Sequence, residues 1–158
     1  MMQWRYLSMN ISQVTAGLEL VGCSVRNLSV SNNLIDLRED DELQLGIDIE
    51  LVYEGAEECE HHGKVILILH IEALRIEKEE QKAEINITLE ALFKSTQHMD
   101  EKEFYHMLMI NGATALYSIA RGKLEAISAS VFLDGKIVLP FVNIHQYYME
   151  KERAKDMK

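Results

Sequence analysis

The hydrophobic period of the chain changes once, just after Phe93, and this change limits the folds open to it. Upstream, apolar side chains alternate with polar ones over residues 43–53 and 85–93, which is typical of half-buried strands. Downstream, apolar residues recur at helical spacing between Ala113 and Val131. Strands followed by helices predict an α+β fold in which the helices pack on one sheet.

Four segments of the first part predict strands. In residues 18–31 the apolar phase changes, which predicts a β-bulge near Arg26 and Asn27. Residues 64–77 are apolar at odd and even positions alike over their first half, so this strand is predicted to be central and covered on both faces. The remaining strands are the alternating segments 43–53 and 85–93.

The connections between these strands are polar. Residues 32–42 predict a polar crossover, 55–63 an acidic loop, and 78–82 a charged turn. Short polar turns between long strands imply an antiparallel meander.

The second part of the chain predicts a long helix and a shorter one. Asp100 and Glu103 have the spacing of a capping box, and Asn111-Gly112 predicts a break. Asp134-Gly135 is a turn signal, and Asn143 predicts the cap of a last helix containing Tyr147 and Tyr148. The predicted fold is therefore a four-stranded antiparallel sheet followed by a long helix and a shorter C-terminal helix.

Length and charge limit the classes of function. A chain of 158 residues fits one domain, with a core at about 18–149, an N-terminal extension at 1–17 and a charged tail at 150–158. The formal net charge of -10 argues against nucleic-acid binding. Residues 1–13 lack a secretory signal, and the longest aliphatic run, Val65 to Leu69, is too short for a membrane span. A cytoplasmic protein without a membrane partner is expected.

Neither a metal nor another cofactor is expected. The ligand types in Cys59-Glu60-His61-His62 are consecutive and lack the separated pairs of a structural zinc site, which favours a solvated loop. His70 is predicted to be a hydrogen-bonded core histidine, and Cys23 a buried structural cysteine.

Two motifs in the second part belong together. Leu116-Tyr117-Ser118-Ile119-Ala120-Arg121 resembles a helix pattern of the type Leu-Phe-Pro-Tyr-Ala-Arg, and Leu139-Pro140-Phe141-Val142-Asn143-Ile144 resembles Leu-Pro-Pro-Val-Asn-Phe. Asn27-Leu28-Ser29-Val30 and Ala91-Leu92-Phe93 have counterparts in the strands of the same family. The chain resembles the SecB family of protein-export chaperones over residues 18–149. The resemblance implies a protein that catalyses no reaction and holds unfolded chains for protein export or translocation.

The resemblance also implies a client groove and an oligomer. The family's groove runs between the sheet, the long helix and the last helix, and by position it is lined here by Phe132, Leu133, Ile137, Leu139, Phe141, Ile144, Tyr147 and Tyr148. The alternative is that these residues are ordinary core. The family assembles as a dimer of dimers, which implies a homotetramer here. Small residues of the long helix allow close approach at such a seam or against the sheet: Ala113, Ala115, Ala126, Ala129 and Ser130.

The partnership with the SecA motor is not implied to the same extent. Positions that carry acidic SecA contacts in the family fall on Asn27, Ser31 and Asn86, and Ser118 replaces the helix proline. SecB-like proteins outside the export group include solitary chaperones and chaperones that protect an antitoxin of a toxin-antitoxin system. Either function suits this chain.

Two other classes of function stay open. A hot-dog-like thioesterase also wraps a sheet around a long helix and would use carboxylates at the helix start, where Asp100, Glu101 and Glu103 stand. These residues equally favour the positive end of the helix dipole. The third hypothesis is an adaptor that kept the fold and lost the groove.

Overall fold

A computed structural model of the protein describes residues 17–78 and 81–158. The predicted N-terminal extension, apart from Gly17, lies outside the described residues, as do residues 79–80 of the predicted charged turn. The strands are β1 (Leu18–Asn32), β2 (Glu42–Glu57), β3 (Glu60–Leu74) and β4 (Lys82–Ser95). The helices are α1 (Glu101–Met107), α2 (Ala113–Val131) and α3 (Ile144–Asp156), with a π-helical turn at Leu108–Gly112 between α1 and α2. The predicted α+β fold and element order are confirmed.

The sheet is antiparallel with the order β1-β4-β3-β2. Strands β2, β3 and β4 form the predicted meander. β1 departs from it and pairs with β4, so the 33–41 crossover joins the two opposite edges of the sheet. Short turns can only connect neighbours, and this polar crossover is therefore the segment that sets the topology.

The predicted acidic loop is instead the tip of a long hairpin. β2 and β3 are joined by Glu58 and Cys59, whose φ angles are 50° and 68°. A two-residue turn with both φ values positive matches the twist of the flanking strands. The pairing therefore extends to Glu57 opposite Glu60, with one register shift between Tyr53 and Gly55.

β1 contains the predicted bulge. Its register against β4 shifts between Val25 and Asn27, and again between Leu20 and Gly22. The first shift moves Leu28 and Val30 onto the same face as Cys23 and Val25, which explains the change of phase in the sequence.

The core lies between one face of the sheet and the α1–α2 helix. On β3 and β4 the residues of this inner face are almost fully buried, with Leu69 and Leu89 at 0% exposure. β3 is central, as predicted. The prediction that both its faces are covered is wrong for the single chain, because Ile68 on the outer face remains 37% exposed.

The long helix does not break at Asn111-Gly112. It continues through the π-helical turn, in which residues five apart lie on the same side, so Leu108 and Ala113 both face the sheet and are buried. The backbone comes very close here. A Cβ on Gly63 of β3 would lie 2.8 Å from Leu108 Cδ2 and 3.1 Å from Phe104 Cε1.

A buried ion pair fixes the crossover to the end of β3. Arg75 donates from Nε to Asp41 Oδ1 at 3.0 Å and from Nη2 to Asp41 Oδ2 at 3.1 Å. The same Nη2 reaches the Asp36 carbonyl at 2.9 Å. The crossover also bonds to the chain after α2, through Leu133 N–H to Ile35 O at 2.8 Å and Leu37 N–H to Asp134 O at 2.9 Å. Gly135, at φ 86°, turns tightly against Leu37, as the turn signal predicts.

Candidate functional site: apolar flanks and the last helix

The helix covers only the centre of the sheet and leaves an apolar row on each edge strand. On β1, Val25, Leu28 and Val30 face the helix side yet are 41%, 44% and 42% exposed. We call the β1 flank the inner-face row Leu20, Cys23, Val25, Leu28 and Val30. The β2 flank is the corresponding row Leu43, Leu45, Ile47, Leu51 and Tyr53, which is exposed or half-buried. A monomeric protein seldom leaves such rows uncovered.

The two sequence motifs meet in space at the segment that follows α2. Tyr117 donates its hydroxyl to the Pro140 carbonyl at 2.7 Å, and Arg121 Nε donates to the Leu139 carbonyl at 2.9 Å. The Arg121 guanidinium also lies over the Phe141 ring, 4.1 Å from its centroid. Arg121 thus fixes the Leu-Pro-Phe segment by a hydrogen bond to a carbonyl and by stacking on a ring. Phe141 itself is 88% exposed.

α3 is attached to the edge of β2 by two side chains. Tyr147 accepts a hydrogen bond from Ile49 N–H at 3.1 Å through its hydroxyl, and Lys151 Nζ donates to the Ile49 carbonyl at 3.1 Å. Lys151 Nζ also donates to Asp48 Oδ1 at 2.7 Å, and this bond holds the pKa of the Asp48 carboxyl below its usual range. The latch is defined here as Tyr147 and Lys151 bound to Asp48 and Ile49.

Apart from the latch, the contacts of α3 with the rest of the described chain lie near its N-terminal end. Ile144 is the buried residue of this helix, Asn143 caps it by accepting Gln146 N–H at 3.1 Å, and the cap was predicted. Tyr148 packs edge-on against Tyr147 with ring centroids 5.2 Å apart. Its hydroxyl is buried without a hydrogen-bond partner among the described residues, and burial raises the pKa of this phenol. Beyond Lys151 the helix is exposed.

The predicted client residues divide into two groups. Phe132, Ile137, Leu139 and Ile144 are 1–4% exposed and belong to the core of the single chain, so a client cannot reach them in this structure. Leu133 and Phe141 are 85% and 88% exposed, and Tyr147 and Tyr148 are half-buried, with Tyr147 bound to β2. Groove and core residues have the same composition and spacing here, which is why the sequence did not separate them.

The predicted oligomer seam divides in the same way. Ala113 is 1% exposed and packs on the sheet, whereas Ala126, Ala129 and Ser130 are exposed on the opposite side of α2, with Ala115 half-buried. The sequence pattern did not mark the β1 flank as exposed. The bulge keeps the apolar residues of β1 on one face, but local alternation does not reveal that no helix between residues 17 and 158, as far as the structure describes them, covers this face.

The histidines of the hairpin lie on opposite faces. His61 is buried, receives the Tyr53 hydroxyl at Nδ1 (2.8 Å) and donates from Nε2 to the Met99 carbonyl (2.8 Å), while its ring stacks on Phe104. The expectation of a solvated loop is therefore wrong for His61. His62 lies on the outer face, 3.1 Å from Glu60. Within the described residues, His, Cys, Asp and Glu side chains form no group of three that could hold a metal.

The outer face of the sheet is polar and carries the three positions compared with SecA contacts. Asn27 lies opposite Thr88 and Ser31 opposite Glu84. Asn86 Oδ1 accepts a 2.6 Å hydrogen bond from His70 Nδ1. His70 is hydrogen-bonded as predicted, but it lies on this face with 45% of its side chain exposed and not in the core. Acidic residues persist nearby, with Lys64 bridging Glu54 at 3.0 Å and Glu90 at 3.2 Å.

The carboxylates at the start of α1 serve the helix itself. Glu103 N–H donates to Asp100 Oδ1 at 2.8 Å, and Asp100 N–H donates to Glu103 Oε2 at 3.1 Å. This is the predicted capping box, which satisfies two backbone donors.

In the described part of the chain, no helix has both the length and the apolar content needed to span a membrane. No protein-family model matches the sequence. A search of curated proteins likewise finds no match.

Solved structures do match the fold. One is the SecB-like chaperone Rv1957 of Mycobacterium tuberculosis, solved in complex with a ChAD peptide from the HigA1 antitoxin, Rv1956. It superposes with a TM-score of 0.60 at 13% identity, covering 83% of this chain and 94% of the chaperone. Another is a protein of unknown function from Streptococcus agalactiae, with a TM-score of 0.50 at 12% identity over 80% of this chain and 100% of that one. The chain therefore has the fold of a SecB-like chaperone.

Proposed function

We propose that the protein is a holdase chaperone that binds unfolded polypeptides and catalyses no reaction. The observation that supports this most is the pair of apolar flanks left beside a helix that covers only the centre of the sheet. A holdase needs accessible apolar surface together with charge that keeps particles apart, and a net charge of -10 provides the repulsion. Binding clients in the unfolded state lowers the pool of free unfolded chain by mass action.

The proposed client site is the β2 flank together with the exposed part of the segment that leads into α3. Phe141 projects into solvent ahead of α3, and Tyr147 bonds to Ile49 of β2 with Tyr148 packed against it. Leu133 also projects into solvent, beside the crossover, where its N–H bonds to Ile35. The buried members of the predicted set, Phe132, Ile137, Leu139 and Ile144, support this surface from below. Aromatic and aliphatic side chains without hydrogen-bonding demands suit clients of varied sequence.

The remaining features of the proposal concern assembly and partners. We expect a cytoplasmic homotetramer that covers the β1 flank and the small-residue side of α2. Service in protein export is one use of such a holdase, although the neutral residues at Asn27, Ser31 and Asn86 argue against SecA contacts of the family type. Protection of a dedicated antitoxin is the second candidate, favoured by the complex of the similar Rv1957 fold with an antitoxin peptide.

The test is suppression of thermal aggregation of an unrelated client, measured by light scattering at stoichiometric amounts of chaperone. The native protein is expected to suppress scattering, and Phe141→Asp to weaken suppression, because Phe141 is 88% exposed in the segment that leads into α3. Ile76→Asp is the matched control, since Ile76 is 69% exposed in the turn after β3 and is not part of the proposed client site. If the native protein leaves scattering unchanged and also fails to bind any antitoxin encoded beside it, the holdase proposal is refuted. Acyl-CoA turnover would instead establish the thioesterase alternative.

A further inference from the structure

The two edges of the sheet differ in their ability to accept another strand. β1 is interrupted by two register shifts, which twist an edge and disturb the spacing of its backbone groups. β2 keeps an unbroken register from Glu42 to Tyr53 against β3. A long regular edge is the usual template for strand addition.

The latch reveals which backbone groups of β2 point outward. Ile49 N–H and C=O bind side chains of α3, so they point away from β3. In an antiparallel ladder such groups alternate along the strand, and those of Leu45, Ile47 and Leu51 therefore point outward as well. The side chains of these same residues form the β2 flank.

The surroundings of this edge define the chemistry of an added strand. Its side chains on the inner face would meet Leu45, Ile47 and Leu51, which are apolar. Its side chains on the outer face would pass Asp48 and Glu50, which favour cations. Lys151 already shows this preference, because its Nζ donates a hydrogen bond to Asp48 Oδ1 at 2.7 Å.

We propose that the edge of β2 binds an extended polypeptide segment of alternating apolar and basic residues by strand addition, and that the latch of Tyr147 and Lys151 competes with this segment for Asp48 and Ile49. The inference rests on the proposed holdase function and specifies how a client is held. Backbone pairing supplies affinity that is independent of client sequence, while the flank and Asp48 set the preference.

The first experiment uses two N-methylated forms of a twelve-residue peptide of alternating valine and lysine. In one form every second amide is methylated, namely those that would face β2, so the hydrogen bonds to β2 are blocked. In the other form the remaining amides are methylated, and the amides that face β2 stay free. The form whose β2-facing amides are free is expected to bind and to slow amide hydrogen exchange at Leu45, Ile47 and Leu51. The form whose β2-facing amides are methylated is expected to lose binding. Equal binding of both forms, or binding without protection of these amides, overturns strand addition.

The second experiment tests the latch. Lys151→Ala should tighten peptide binding by about threefold, the scale of one partly exposed ion pair. Lys155→Ala is the control, since Lys155 pairs with Glu152 on the exposed side of the same helix at 3.0 Å and should leave the affinity unchanged. Equal or weaker binding by Lys151→Ala means that α3 does not compete.

The failures of the two proposals are distinguishable. Suppression of client aggregation without protection of the β2 amides keeps the holdase and removes the strand-addition site. Protection of the same amides that depends on protein concentration, in the absence of peptide, shows that a second copy occupies the edge and overturns the inference. Loss of both suppression and peptide binding removes the holdase as well.

Discussion

At the residue scale, helix ends and turns are stabilised by side chains that are close neighbours in the chain. The capping box of Asp100 and Glu103, the Asn143 cap and the Gly135 turn each depend on residues within a few positions. The contacts that the sequence missed join distant residues. Lys151 bonds to Asp48, which lies 103 positions earlier in the chain, and no local sequence pattern marks either residue.

Gly63→Ala is expected to lower the free energy of unfolding by about 1–3 kcal/mol, because the new methyl group overlaps Leu108 and Phe104 at the closest helix approach. Gly46→Ala is the control on the neighbouring strand, since its Cβ would lie at an ordinary 3.6 Å from His70 Cβ. Urea denaturation of both variants provides the measurement. Equal stability of Gly63→Ala and the native protein would contradict the close packing described here.

Asp41 should make the fold sensitive to acid. Hydrogen bonds from Arg75 hold the pKa of its carboxyl below the usual 3.8, and its side chain is 1% exposed. Because the folded pKa is the lower one, this contribution to stability is complete above about pH 5 and is lost as pH falls through the folded value.

Asp41→Asn is therefore expected to lower the urea midpoint at pH 7 and to reduce its further decline between pH 5 and pH 3. The exposed neighbour Asp40 provides the control, and Asp40→Asn should keep the native acid response. An unchanged acid response in Asp41→Asn would assign the acid sensitivity to other carboxylates.

At the element scale, hydrophobic period predicted the four strands and the long helix but not the way they pack. The Asn111-Gly112 signal was interpreted as a break because glycine weakens helices. The structure places Gly112 in a π-helical turn, where a Cβ would come within 3.2 Å of Val65 Cγ2, so the glycine permits close packing and the helix continues. Such a contact is invisible to a pattern that extends along one element.

The segment after α2 should depend on its two anchors in that helix. Tyr117→Phe leaves the Pro140 carbonyl without the hydroxyl donor and is expected to cost about 1 kcal/mol of unfolding free energy. Amide exchange at Phe141 and Val142 should accelerate. Tyr105→Phe, which removes a hydroxyl from a 43% exposed tyrosine, should leave both quantities unchanged. Unchanged exchange in Tyr117→Phe would show that Arg121 alone fixes the segment.

At the scale of the whole molecule, the sequence did not determine which surfaces remain uncovered. A central strand and an edge strand carry similar apolar rows, and the sheet order β1-β4-β3-β2 decides which row the helix covers. The same order leaves the β1 flank on one side of the helix and the β2 flank on the other. The small residues on the far side of α2 add a third surface.

A dimer of dimers needs two different contacts, and we expect the β1 flank and the outer side of α2 to provide them. Leu28→Lys and Ala129→Arg should each reduce a tetramer to a dimer, because each places a buried charge in one contact. The double variant should be a monomer. Sedimentation equilibrium gives the masses, and circular dichroism checks that each variant is folded. A mass unaffected by either substitution would rule out both surfaces.

The pairing of β1 with β4 also constrains how the chain folds as it is made. Leu18 pairs with Ser95 and Asn32 with Ala83, so β1 leaves the ribosome long before its partner exists, whereas β2, β3 and β4 can form successive hairpins. Closing the larger loop costs more entropy, and β1 should therefore join the sheet last. Pulsed hydrogen exchange during refolding would then protect β3 amides before those of β1, and simultaneous protection would argue for a single nucleus. Until β4 arrives, the newborn protein is itself an unfolded chain that exposes an apolar strand without a partner.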